Sequence, residues 1–194
     1  MYIHGTDMLN AVWRATAAQT GAVEIRHLNF MINRMTLHNL QLELELGGQH
    51  PAVTEVLPPV ATLSFEAAGA PWHGTLVEEP GEPVGRYPYD EESIVARCRV
   101  NPEDRSIVLP GEPLFTPIEM VVSMTKALHQ ALFPNASGRW VFCRWESEYW
   151  PLAAPLADLS VMLTQALGTR LTKSAVVFSG ERVGWVYFSA KDGL

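Results

Sequence analysis

The sequence contains little cysteine and no cluster of positive charge. Its 194 residues include two cysteines, Cys98 and Cys143, which are too few for a disulfide scaffold and lack the spacing of a metal or redox motif. The 14 Lys and Arg residues are scattered and outnumbered by 21 Asp and Glu residues, so the formal net charge is −7. Because binding to a phosphate backbone needs clustered cations, we expect no nucleic-acid partner.

Long hydrophobic runs and the common cofactor motifs are also missing. No apolar run approaches the roughly 20 residues of a membrane span, and no basic segment followed by an apolar one opens the chain. The sequence has no G-x-S-x-G, phosphate-binding loop or dinucleotide fingerprint, and its histidines lack metal-ligand spacing. We therefore expect a cytoplasmic protein without a membrane segment, a metal or another cofactor, since a reducing compartment also fits the sparse cysteines.

Apolar residues, by contrast, make up 47% of the chain, which is enough for a sizeable core. Apolar residues at helical spacing predict a helix from about Thr6 to Gln19, with Gly21 as its stop signal. From residue 23 onward the period changes to two, and the leucines of Leu40–Leu46 alternate with polar residues as in a half-buried strand. Further strands are predicted at Ala61–Ala67, His73–Val77 and Ile94–Val100.

A second helix is predicted to begin at Thr116. The run Thr-Pro-Ile-Glu places an N-cap threonine, a first-turn proline and a glutamate at the third helical position, and Pro134 closes the helix. Strands are predicted to follow at Trp140–Trp150, Leu159–Leu167, Ala175–Phe178 and Val183–Ala190. Trp140 and Trp150 should lie on the strand face opposite Trp145, and we expect these indoles to serve core and dimer packing.

The two halves of the chain follow the same plan. Residues 78–90 are rich in proline, glycine and charge and are typical of a linker, which gives an N-terminal domain of residues 1–77 and a C-terminal domain of residues 91–194. Each half has an apolar helix followed by strands, which indicates an internal duplication, while an ordinary α+β domain with unrelated helices is the alternative. Two such units can join their sheet edges.

Two segments resemble a known family. Leu109–Ala127, LPGEPLFTPIEMVVSMTKA, resembles the P-G-H-P-x-M-P-G-x-x-x-x-E-A segment of β-hydroxyacyl-thioester dehydratases, with Pro110, Gly111 and Pro113 matching as they stand. IHGTDMLNAVWRA resembles the later part of that segment and the first helix of polyketide synthase dehydratase domains. The resemblance implies an α+β double hotdog, with two helices each wrapped by an antiparallel sheet and the sheets joined edge to edge. Double-hotdog acyl-CoA thioesterases share this element order.

The resemblance also implies a site. Removal of water from a β-hydroxyacyl thioester needs a base at the α-carbon and an acid at the β-hydroxyl, which the family supplies as a loop histidine and a helical carboxylate. In this chain Glu112 stands at the histidine position, and Val122 and Asn10 stand at the carboxylate positions. We expect Glu112 to be the base if the protein is active, with Asn10 or His4 orienting the substrate. The expected substrate-binding positions are Gly5, Gly111, Pro117 and Val122.

Three functions follow from these residues. The first is dehydratase-like handling of 3-hydroxyacyl thioesters, on acyl carrier protein or coenzyme A, in fatty-acid or polyketide-type biosynthesis. The second is a non-catalytic hotdog that binds an acyl chain or docks on a partner enzyme, which the absent histidine and Val122 both favour. The third is thioester hydrolysis. A double hotdog already contains the pairing that single hotdogs obtain by dimerising, so the sequence is compatible with a monomer or a homodimer.

Overall fold

The computed structural model describes residues 3–22, 24–47, 58–79, 81, 88–112, 115–151 and 158–191. The chain divides into two compact units, of which unit 1 comprises Met1–Pro88 and Arg144–Ala153 and unit 2 comprises Tyr89–Cys143 and Ala154–Leu194. The helices are α1 (Gly5–Thr20), α2 (Glu91–Ala96) and α3 (Pro117–Leu132). The domain boundaries expected from the sequence stay a prediction, and most of the 78–90 linker lies outside the described residues.

Unit 1 contains α1 and an antiparallel sheet. Its strands are β1 (Glu24–Ile32), β2 (Leu40–Leu46), β3 (Ala61–Ala67), β4 (Ala70–Glu78) and the second part of β7 (Arg139–Pro151). They are ordered β2-β4-β3-β1-β7. The predicted helix, and the strands predicted at Leu40–Leu46, Ala61–Ala67 and His73–Val77, are confirmed, the last with longer bounds. α1 ends at Gly21, which adopts a φ of 64° and donates its N–H to the Ala17 carbonyl.

An irregularity in β1 changes which side chains unit 1 buries. His27 has a φ of 51°, and the register with β3 shifts between Arg26 and Asn29. Ile25 and Leu28 are consequently both buried although they stand three residues apart, and β7 keeps its register with β1 through this point. Trp145 and Trp150 on β7 are consequently both buried, with ring centroids 5.0 Å apart. The prediction that they lie on opposite faces is therefore wrong, whereas their predicted role in core packing agrees with this burial.

Unit 2 contains α2, α3 and a set of antiparallel strands. Its strands are the first part of β7 with β5 (Arg99–Asn101), β6 (Ser106–Leu109), β8 (Leu159–Leu167), β9 (Leu171–Phe178) and β10 (Glu181–Lys191). They are ordered β7-β10-β9-β8-β6-β5. The predicted α3 is confirmed, including its capping box, in which the Thr116 N–H donates to Glu119 Oε2 at 2.9 Å. The four strands predicted after α3 are confirmed, with longer bounds for β7, β9 and β10.

The strand predicted at Ile94–Val100 is wrong. The structure has the short helix α2 there, followed by β5. Asp90 caps the helix, since its Oδ1 accepts the Ser93 N–H at 3.0 Å and its carbonyl accepts the Ser93 hydroxyl at 3.0 Å. This local capping outweighs the apolar alternation that suggested a strand.

Candidate functional site

The first turns of α1 hold the predicted residues His4, Gly5 and Asn10 in unit 1. His4 is the N-cap residue, and its side chain makes no capping hydrogen bond. Its carbonyl accepts the N–H groups of Asp7 at 3.1 Å and Met8 at 3.2 Å. Within the described part of the chain, the N–H groups of Gly5 and Thr6 have no hydrogen-bond partner, as is usual for the first turn of a helix.

Polar side chains continue along α1 beyond this turn. Thr6 and Asn10 lie one helical turn apart, with exposed fractions of 2% and 7%. The Thr6 hydroxyl has no hydrogen-bond partner among the described residues. One turn further, Trp13 stacks on Trp150, with ring centroids 4.8 Å apart, and so fixes α1 against β7 within unit 1. The first turns of α1 therefore combine two backbone donors with the Thr6 hydroxyl and the Asn10 amide.

The first turn of α3, in unit 2, is closed by its own residues. Thr116 and Glu119 exchange both hydrogen bonds of the capping box, and Pro117 has no N–H to offer. Most donors that a helix N-terminus could present to a ligand are thus used or absent at α3.

Glu112 and Gly111 lie in the exposed loop before α3. Gly111 adopts a φ of 83° and donates its N–H to Asp158 Oδ1 at 3.2 Å, and the Glu112 carbonyl accepts from Arg97 Nη2 at 3.2 Å. These two hydrogen bonds hold the backbone of the loop. Glu112 itself is exposed. Pro113, the third match to the dehydratase segment, lies outside the described residues.

Val122 is buried in α3 and offers no proton-transfer group. Beside it the structure reveals a polar pair that the sequence analysis missed. The Ser123 hydroxyl donates to the Glu119 carbonyl at 2.8 Å and lies 3.4 Å from the Tyr89 hydroxyl, whose pKa is raised mainly by burial. A polar residue inside the apolar stripe of α3 was the only sequence signal for this pair.

Of the predicted residues, then, His4, Gly5 and Asn10 share the start of α1, while Gly111, Glu112, Pro117 and Val122 share the start of α3. No group of three or more His, Cys, Asp or Glu side chains suited to a metal ion occurs in the described ranges. In the same ranges, no helix is both long enough and apolar enough to cross a membrane.

No protein-family model matches the chain, and no curated protein matches it. Solved structures do match. The dehydratase domain of PpsC from Mycobacterium tuberculosis, solved in complex with C12:1-CoA, is 12% identical with a TM-score of 0.53, and the alignment covers 98% of this chain and 85% of that domain.

Two further structures give the same result. The dehydratase domain of a mycocerosic acid synthase-like polyketide synthase is 12% identical with a TM-score of 0.52, covering 99% of this chain and 83% of that one. The TesB protein of Mycobacterium avium subsp. paratuberculosis is 11% identical with a TM-score of 0.50, covering 98% and 88%. At these identities the likeness concerns the fold. The chain has an α+β double-hotdog fold resembling that of dehydratases, as predicted.

Proposed function

We propose that this protein binds acyl thioesters and holds the thioester carbonyl at the open N-terminus of α1. The double-hotdog fold resembles that of two dehydratase domains, one of which was solved with C12:1-CoA. Acyl thioesters of coenzyme A or acyl carrier protein are therefore the proposed ligand class.

The proposal rests on a difference between the N-termini of the two long helices, α1 and α3. α1 lacks a side-chain cap and leaves the N–H groups of Gly5 and Thr6 available, whereas α3 is closed by its capping box. The partial positive charge at a helix N-terminus attracts a carbonyl oxygen, and unpaired N–H groups there can donate to it. The buried Asn10 amide lies further along the same helix and gives this end of α1 a polar lining.

Among the three functions considered, the described residues favour binding without dehydration. Dehydration needs a base and an acid within hydrogen-bond reach of the substrate. The family's histidine is replaced by Glu112 on an exposed loop, and its carboxylate by Val122 in one helix and Asn10 in the other. An amide does not titrate in the range that general acid catalysis requires, and valine has no proton to give.

The proposal is tested by calorimetric titration of the full chain with octanoyl-coenzyme A. Proline at position 5 removes one N–H donor and fits the first helical position, because the preceding His4 has the extended φ of −80° and ψ of 144° that proline requires. We expect Gly5→Pro to weaken binding roughly three- to tenfold, the size of one hydrogen bond.

Gly5→Ala is the matched control, since alanine keeps the N–H and should bind as the unmodified chain does. Circular dichroism would verify that both variants keep their helices. Failure of the unmodified chain to bind octanoyl-coenzyme A would overturn the proposed function. Equal affinity of the proline and alanine variants would overturn the assignment of the carbonyl to α1.

A further inference from the structure

The last turn of α3 carries a histidine that the proposed function does not use. His129 has an exposed fraction of 0%, and neither ring nitrogen has a hydrogen-bond partner among the described residues. Most buried polar side chains in native proteins have at least one partner. The burial of this imidazole without a hydrogen-bond partner is therefore unusual.

Aromatic rings surround His129 within unit 2. Its ring centroid lies 4.3 Å from that of Trp140 on β7, 5.4 Å from Phe188 on β10 and 6.0 Å from Phe133. Phe133 is the C-cap residue of α3, and it also contacts Trp140 at 5.7 Å. The histidine thus joins the end of α3 to two strands. Such an enclosure accommodates a neutral ring, but it offers an imidazolium neither water nor an acceptor.

The elements packed against His129 bring no compensating charge. On α3, Glu119 serves the capping box, and Lys126 Nζ binds Glu91 of α2 at 2.9 Å. The remaining titratable groups on the unit 2 part of β7 and on β10 are Arg139, Cys143, Glu181, Arg182, Tyr187 and Lys191. None of them contributes to the shift of the His129 pKa, because burial alone lowers it from 6.5 to about 4.

We propose that His129 is an acid-sensitive latch: its neutral ring holds the end of α3 against β7 and β10, and protonation releases this contact. Two effects favour the protonated ring, namely a cation–π contact with Trp140 and the negative end of the helix dipole. The complete loss of hydration opposes both, and burial lowers the pKa of His129.

The latch acts over a defined pH range. In the unfolded chain the imidazole has its ordinary pKa of 6.5, whereas in the folded chain its pKa is about 4. Above pH 6.5 both states are neutral, and His129 adds no pH dependence. Between pH 6.5 and 4 the unfolded state holds a proton that the folded state lacks, so stability falls as the pH falls. In this range the folding equilibrium constant should decrease by about tenfold per pH unit.

The test compares urea unfolding of the full chain and of His129→Phe between pH 8 and pH 4. Phenylalanine keeps a ring of similar size but cannot titrate. The ratio of the two folding equilibrium constants should stay constant above pH 7 and fall roughly 100-fold or more by pH 4. Carboxylates shared by both chains cancel in this ratio.

A second measurement keeps the test decisive if phenylalanine does not fit. The carbon-bound ring protons of His129 can be followed by NMR in the unmodified folded protein. A ring that stays neutral down to about pH 4 supports the latch. Parallel unfolding profiles, or a ring that titrates near pH 6.5 in the folded protein, would overturn it.

Discussion

A single glycine shows how closely the strands of unit 1 pack. Gly74 on β4 lies between two neighbours, paired with Leu44 of β2 on one side and Leu63 of β3 on the other. A Cβ atom at this position would lie 2.7 Å from Leu44 Cδ2, 2.8 Å from Leu63 Cδ2 and 3.0 Å from the Glu43 carbonyl oxygen. Both leucine methyl groups would have to move, and the backbone oxygen leaves little room for the change.

Replacement of Gly74 by alanine should therefore destabilise the protein by about 1–3 kcal/mol, the usual cost of overpacking a core. Urea unfolding at neutral pH measures this change. Ser64→Ala, on the adjacent strand β3, is the control and should change stability by less than about 1 kcal/mol. A Gly74→Ala variant as stable as the unmodified chain would show that β2 and β3 relax around the new methyl group.

For the candidate site residues, the sequence predicted the burial of some side chains and not the exposure of others. Asn10 was proposed because it occupies the glutamate position of the dehydratase pattern near an apolar helical stripe, and it is buried. Glu112 is the expected base of a dehydratase-like reaction, but it lies on an exposed loop, where its carbonyl accepts a hydrogen bond from the Arg97 side chain. The partners of a loop distant in sequence leave no periodic signal, so its exposure could not be read from spacing. The catalytic roles of both residues stay predictions.

At the scale of elements, prediction succeeded where the signal was local. Helix α3 was predicted from Thr116, Pro117 and Glu119, which lie within four consecutive positions. The structure contains the corresponding capping box. Strand β8 was predicted with its observed bounds, Leu159–Leu167. Prediction failed where two local signals competed, as at Ile94–Val100, and where a bulge at His27 reversed the strand alternation. A bulge has no reliable mark in the sequence unless a glycine forms it.

The capping box makes a direct prediction for α3. Thr116→Ala removes the side-chain acceptor for the Glu119 N–H and should lower the free energy of unfolding by about 1 kcal/mol. Thr116→Ser is the matched control because serine keeps the hydroxyl and caps equally well. Thermal unfolding of the three chains measures both effects. If alanine and serine have the same effect, the capping hydrogen bonds add nothing to the stability of α3.

At the scale of the whole molecule, the resemblance to dehydratases predicted the fold more specifically than the helix and strand periodicities did. Helix and strand spacing alone indicated a duplicated α+β protein, while the dehydratase-like segments implied the double hotdog that the structural neighbours confirm. The same resemblance places Glu112, Val122 and Asn10 at the family's functional positions, and this assignment stays a prediction. The shared fold therefore establishes the architecture of this chain and leaves its chemistry to be tested.

The most direct test of binding without dehydration is to incubate the protein with a 3-hydroxyacyl N-acetylcysteamine thioester and follow enoyl absorbance, with mass spectrometry of the bound fraction. We predict no enoyl absorbance, no free thiol, and an intact thioester recovered with the protein. Formation of the enoyl product by the unmodified chain, and its loss in Glu112→Ala, would contradict this account and restore Glu112 as a catalytic base.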